Sequence, residues 1–325
     1  MRGRFQLMRE IKFLIFILLL LIFGCSKSET ANQTVAETKN QTQITDERII
    51  KIVKYRDAVV RFFVPMETPQ KSDWLDSFKE NGQTFEEYVN GNPTLPTAER
   101  QTIYIQPIGE FTASQRKVLN LTAEYMKAFY NLPVKLNQVA KLENVPKEMK
   151  RENPFDGQKQ IKTGYSLENL LPKMLPADAA AFICFTNIDL YPDENWNYVF
   201  GQATLQNRVG VWSLRRFGDP DKSAEDYKMF LARTLKVAMH ETGHMFSMLH
   251  CTKYECLMSG TNHIGETDRR PLDVCPECMA KIVWAMNYEP ANRYRNLAEF
   301  WKKQGWLDEA ESFTAKASTV EKISQ

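Results

Sequence analysis

SAEDYKMFLARTLKVAMHETGHMFSMLHC, residues 223–251, is the stretch that decides the fold. Tyr227, Phe230, Leu231, Leu235, Val237 and Ala238 keep helical spacing with no intervening proline, which predicts one long helix over residues 223–246. Within it, His240-Glu241-Thr242-Gly243-His244 sets two imidazoles four residues apart on one helical face, a spacing from which both reach a single metal ion. The helical pattern breaks at Ser247, which lets the chain turn back and bring His250 to the same ion. Three neutral imidazoles make an open zinc site whose fourth position is left to water, and Glu241, beside the first of them, is placed to take that water's proton. The chain has 4 histidines and three of them are in this cluster. The fourth, His263, reads as a surface or turn residue, with a supporting role near substrate as the alternative.

Four cysteines follow: Cys251 and Cys256, then the pair in Cys275-Pro276-Glu277-Cys278. Two chemistries are open. Four thiolates would close a structural zinc site with no water position, whereas an exported chain could form two disulfides. The knuckle-like spacing of the second pair favours zinc. Cys184, inside the apolar run AAAFICFT, reads as a buried hydrophobe.

The segment HETGHMFSMLHCTKYECLMSG, taken with Cys275 and Cys278, resembles the archaemetzincin (archaelysin) family. TNHIGETDRRPLDVCPEC is similar to that family's connecting segment, and IYIQPIG (103–109) and FTNIDLYP (185–192) are similar to its strands. The resemblance spans residues 101–284 and is patchy between 132 and 177. It implies an α+β, metzincin-like fold: a mixed β-sheet, a long active-site helix and a zinc-stabilised C-terminal subdomain. It implies zinc metallopeptidase activity on a peptide or protein substrate, with His240, His244 and His250 as ligands of the catalytic zinc and Glu241 as general base. Met258 would be the Met-turn residue beneath that metal. Cys251, Cys256, Cys275 and Cys278 would hold a structural zinc, making two zinc ions per chain. One position departs from the family motif: Ser247 stands where glycine is usual. A positive φ there costs a residue with a Cβ roughly 1 kcal/mol, which predicts a strained turn or a displaced His250, and lower activity.

Outward from this core, residues 101–108 are β-prone, and Thr112 or Ser114 caps a helix reaching about Tyr130. Residues 134–139 predict a second strand, 166–175 a second helix and 179–186 an apolar buried strand. Strands are also expected at 199–203 and 209–214, with Gly210 and Trp212 marking the latter as an edge that a substrate backbone could approach. Near the C-terminus, Tyr294, Leu297, Ala298, Trp301, Leu307, Ala310, Phe313 and Ala317 are spaced like one tetratricopeptide-type helical hairpin, with Gly305 at its turn. A single copy reads as a hairpin packed on the main domain, and a protein partner bound there is the alternative.

At the other end, Arg2, Arg4, Arg9 and Lys12 precede an apolar run over residues 13–23, too short for the roughly 18 residues of a spanning helix. The run ends in Ile22-Phe23-Gly24-Cys25, which resembles a bacterial lipobox with Cys25 as the lipidated residue. The polar stretch that follows reads as a tether with little to bury. The expected organisation is therefore a signal peptide (1–24), a lipidated Cys25 and tether (25–48), a catalytic domain (49–290) and the hairpin (291–325). Export and anchoring to a bacterial membrane through Cys25 follow from that reading. A formal net charge of +2 with interspersed signs leaves no basic stripe, which argues against a nucleic-acid partner. A lipid-anchored, zinc-stabilised interaction protein is the other function class open to such a chain. The presence of Glu241 argues for the enzyme, because a binding module needs no general base.

Overall fold

The structure is a computed structural model that describes residues 47–142 and 145–324. The signal segment, Cys25 and the tether through residue 46 lie outside the described residues, and helix α1 (residues 47–59) starts two residues before the expected boundary. Among the described residues no helix is long and apolar enough to cross a membrane.

Two short helices follow α1, α2 (Trp74–Ser77) and α3 (Phe85–Asn90), the latter closed by a capping box between Thr84 and Glu87. Strand β1 (Thr102–Ile108) then leads into α4 (Ala113–Tyr130), where Thr112 accepts from the Gln115 backbone N–H and Gln115 reaches back to Thr112, as the expected cap requires. The strand expected over 134–139 is shorter, β2 (Val134–Leu136). The polar strands β3 (Lys150–Glu152) and β4 (Lys159–Lys162) have no apolar alternation to announce them. Helices α5 (Thr163–Tyr165) and α6 (Leu171–Met174) are joined by one π-helical turn, Ser166–Leu170. Next come β5 (Ala179–Thr186), β6 (Asp189–Tyr191), β7 (Gly201–Ala203) and β8 (Val209–Ser213). The long helix α7 (Ala224–Met245), capped by Ser223, fulfils the reading of residues 223–246. Helices α8 (Ile264–Arg269), α9 (Pro276–Ala285), α10 (Pro290–Lys303) and α11 (Leu307–Ser324) complete the chain.

The main sheet has the order β2-β1-β5-β8-β7, parallel except for the antiparallel pair β7/β8. A smaller sheet, β3-β4-β6, stands apart from it in the hydrogen-bonding pattern. On one face of the main sheet Ile103, Ile105, Ile183, Phe185 and Trp212 join the core of α4 and α7, while Tyr104, Phe182, Cys184, Val209 and Val211 join a second core with Leu167 and Leu171. This is the mixed-sheet α+β architecture expected of the sequence. One expectation is corrected: β8 is not an edge, because β5 and β7 flank it on both sides. Gly210 instead lets α7 approach, since a Cβ there would stand 2.9 Å from Met245 Cε. The edge on that side is β7.

Helices α10 and α11 pack together through buried Tyr294, Leu297, Trp301, Phe313 and Ala317, and Gly305 makes the turn at φ 75°. Phe300 and Trp301 stack edge-on against Tyr125 of α4, with centroids 4.9 and 5.4 Å away. Asp273, buried beneath the hairpin, accepts from Arg293 at 3.1 Å and from Lys316 at 2.9 Å. Stripping the carboxylate from such a buried triad leaves two uncompensated cations, a loss of roughly 3–5 kcal/mol. The hairpin is thus built into the body of the protein.

Candidate active site

Helix α7 carries His240 and His244 on one face, as their spacing demands, and the chain reverses just beyond its end. Ser247 makes that reversal at φ 64°, the left-handed conformation anticipated for it. Its hydroxyl donates to Leu205 O and accepts from the Thr94 backbone N–H, both at 3.0 Å, bonds that offset the cost of a Cβ in this conformation. His250 is not displaced: its ring centroid lies 5.2 Å from that of His240 and 5.0 Å from that of His244.

Each imidazole is oriented from behind. His240 Nδ1 lies 2.9 Å from Leu257 O, His244 Nδ1 lies 2.7 Å from Met248 O, and His250 Nδ1 lies 2.9 Å from a Glu80 carboxylate oxygen. Carbonyl and carboxylate oxygens only accept, so all three protons sit on Nδ1 and every Nε2 presents a lone pair. The three ligand atoms fall within 4.8 Å of one another, and two of them, Nε2 of His240 and His244, are 3.0 Å apart. Burial, reinforced by the neighbouring imidazoles, holds His240 well below the usual histidine range and takes His244 down to about 4. Neutral rings with facing lone pairs and engaged Nδ1 protons are the donor set zinc requires.

Glu241 lines the same cleft, and burial pushes its carboxyl up to about 8. Its Cγ lies 3.2 Å from where a Cβ on Gly201 would stand, so the edge strand β7 passes directly against the carboxylate side chain. Below the helix, Met258 Sδ would be 2.6 Å from a Cβ on Gly243, so its thioether packs against the helix where the fourth place of the motif carries no side chain. Met258 is buried there and its carbonyl accepts from Cys251 N–H at 2.8 Å.

The cleft, about 340 Å³, runs between α7, β7 and the segments around Trp74, Trp196 and residues 257–270. Sequence spacing does not reveal Glu80 or Trp74, which come from far upstream. The Trp74 ring meets His250 edge-on at 5.0 Å and packs on Phe78, which in turn stacks on Trp196. Burial works against ionisation of Glu80, but the hydrogen bond from His250 holds its carboxyl below the usual range.

Cys251, Cys256, Cys275 and Cys278 converge as well, their sulfurs within 4.8 Å of one another, buried and unoxidised. Cys251 Sγ and Cys275 Sγ are 3.5 Å apart, far beyond the roughly 2.05 Å of a disulfide. The backbone N–H groups of Cys275 and Met258 point at Cys256 Sγ from 3.1 and 3.4 Å. Hydrogen bonds from the other three thiols pull the Cys251 thiol down, while burial pushes Cys256 up. Four sulfurs around one point, supported by amide donors, suit a tetrahedral zinc ion. Cys184 lies apart, buried in β5 as expected.

His263 has no place in either cluster. It caps α8, accepting from Glu266 N–H at Nδ1, and its Nε2 lies 3.3 Å from Asp73. Asp73 and Glu266 stand close to it, but they are engaged by Arg269 at 2.6 Å and Arg270 at 2.7 Å. The group acts as a clamp holding the Trp74 segment against α8.

Comparison with known proteins agrees with this geometry. The family model for Peptidase family M54 matches residues 131–283. The chain is 34% identical over 292 residues to Archaemetzincin-2 of Macaca fascicularis, covering 79% of this chain and 78% of that protein. It is 33% identical over 279 residues to Archaemetzincin-2 of Rattus norvegicus, covering 76% and 75%. The crystal structure of archaemetzincin from Methanopyrus kandleri aligns with 59% of this chain and 98% of that chain, at 23% identity and a TM-score of 0.48. With a relative at that identity matched along most of both chains, this chain belongs to the archaemetzincin family of zinc metallopeptidases.

Proposed function

We propose that the chain hydrolyses peptide bonds in the cleft above α7, with His240, His244 and His250 as ligands of the catalytic zinc and Glu241 as general base. The observation that carries this reading is the proton arrangement: three Nδ1–H groups face oxygen acceptors, so three Nε2 lone pairs gather beside Glu241. When bound, zinc supplies a Lewis acid that polarises the scissile carbonyl and acidifies water. Glu241 takes the proton of the attacking water and delivers it to the amine nitrogen as the C–N bond breaks. Among the described residues strand β7 pairs only with β8 in the main sheet, so its outer edge is available to an extended substrate, which backbone pairing would hold in line with Glu241. Met258 packs beneath the site and takes no part in the chemistry. The decisive experiment is digestion of an unbiased peptide library by zinc-loaded wild type and by Glu241→Gln.

Glu80 is a positioning residue in this scheme, because it fixes the ring and tautomer of His250 from behind. Replacing Glu80 by Ala should weaken zinc affinity by about 10- to 100-fold, the range for losing such a supporting carboxylate, while Glu80→Gln, which keeps an acceptor oxygen, should restore much of it. Competition with a fluorescent zinc chelator measures both. Equal affinity in wild type and Glu80→Ala would remove Glu80 from the scheme.

The four-cysteine cluster is the proposed second zinc site, of structural kind. The lipobox-like ending at Cys25 supports export and a lipid anchor. Cys25→Ser should then move the protein from the membrane fraction to the aqueous one, or leave it unprocessed. Equal incorporation of labelled fatty acid by the variant would rule the anchor out.

A further inference from the structure

Lys236 lies one helical turn before His240, on the same face of α7, and lines the same cleft. It is 9% exposed, and no carboxylate pairs with it among the described residues. Its ammonium donates to Thr267 O at 3.1 Å and Asp268 O at 3.0 Å, two carbonyls in the last turn of α8. An ammonium has three donors, so one remains without a partner among the described residues.

The carboxylates of Asp268 and Glu309 act on Lys236 from a distance, without direct contact. The Asp268 carboxylate is taken by Arg233 in a two-point pair at 2.8 and 2.6 Å. Arg270, which also lines the cleft, is paired with Glu255 and with Glu266. Its buried Nε nevertheless has no partner among the described residues. This part of the cleft therefore holds a buried cation that no carboxylate contacts directly among the described residues. A buried ammonium of this kind is costly unless an anion meets it, and a carboxylate oxygen meets that need.

We propose that Lys236 is a specificity-determining residue for the peptidase: it receives a carboxylate carried by the substrate residue that flanks the scissile bond. The proposal rests on the cleft being the peptidase site. Four residues of helix, about 6 Å of rise, separate Lys236 from His240 along the axis, a distance that a Glu or Asp side chain, or a C-terminal α-carboxylate, spans from the reacting carbonyl. Both sources of the carboxylate share the same recognition chemistry, and the test separates them.

The test uses zinc-loaded full-length protein and peptides identical except at one flanking position, where Glu, Gln or Leu stands. Each peptide is made with a free C-terminal acid and as the amide. At one flanking position, Glu is expected to exceed Gln in kcat/KM by about tenfold or more, the ratio for one charge-assisted hydrogen bond, mainly through KM. If the α-carboxylate is the ligand, the gain appears instead for the acid over the amide when cleavage falls next to the C-terminus. Lys236→Met should bring the ratio close to one, and Lys236→Arg should retain most of it. The Glu-to-Gln and acid-to-amide ratios of wild type stand even if Lys236→Met fails to fold for want of its bonds to α8. Ratios near one in wild type, or an unchanged preference in a folded Lys236→Met, overturn the proposal. If wild type cleaves no peptide, the peptidase reading of the cleft fails. Calorimetric binding of the Glu and Gln peptides to the same protein then decides the Lys236 subsite separately, equal affinities overturning it.

Discussion

Glu241→Gln is expected to lower peptide cleavage by about 10²- to 10⁴-fold, the contribution of a positioned acid–base group, with zinc content unchanged. The amide is nearly isosteric with the carboxylate and fills the same space against Gly201 of β7. It keeps a carbonyl oxygen to hold water but has no basic oxygen to take its proton, so attack loses its base and the leaving amine its acid. The three imidazoles, oriented by Leu257, Met248 and Glu80, are untouched by the change. Metal analysis beside single-turnover cleavage separates the roles: an inactive variant with full zinc supports the base, whereas a variant as active as wild type removes Glu241 from the mechanism. A variant that loses zinc along with activity would make Glu241 part of the metal's support instead.

The parts of this architecture legible in the sequence are those whose signal is local. Helix α7 combines apolar periodicity with a five-residue motif, and β5 is an uninterrupted apolar run, so both were defined by residues that also make their contacts. Strands β3 and β4 are short and polar, with one long side of their pairing supplied by β6 some 30 residues on, and no periodicity announces them. The edge of the main sheet was misplaced for a related reason. A glycine in a strand signals close approach but does not say by what, and at Gly210 the approaching group is Met245 of α7. Glu80 was invisible because its hydrogen bond to His250 closes a separation of 170 residues. Lys236 belongs to no sequence motif, and only the fold shows it buried against the end of α8.

Cys275→Ser separates the second metal from the first. The variant is expected to lose about one zinc ion per chain and to unfold at markedly lower temperature or denaturant concentration, because the binding free energy of a structural zinc is also folding free energy. Such sites contribute on the order of 10 kcal/mol in small zinc-dependent folds, comparable with the roughly 5–15 kcal/mol net stability of a whole domain. A serine hydroxyl is a poor, hard substitute for a thiolate, and it sits at the cap of α9 with Cys278 in the first turn behind it. The damage should reach the catalytic cluster through a short path. Cys275 N–H supports Cys256 Sγ, and Cys256 is next to Leu257, whose carbonyl orients His240. Met258 follows, seated beneath Gly243. Activity should therefore fall with stability, whereas Glu241→Gln loses activity alone. Cys184→Ala is the control, since it removes a buried thiol from β5 without touching the four-sulfur cluster and should leave zinc content intact. Full zinc content and unchanged melting in Cys275→Ser would show that the four sulfurs hold no metal and that their convergence is packing alone.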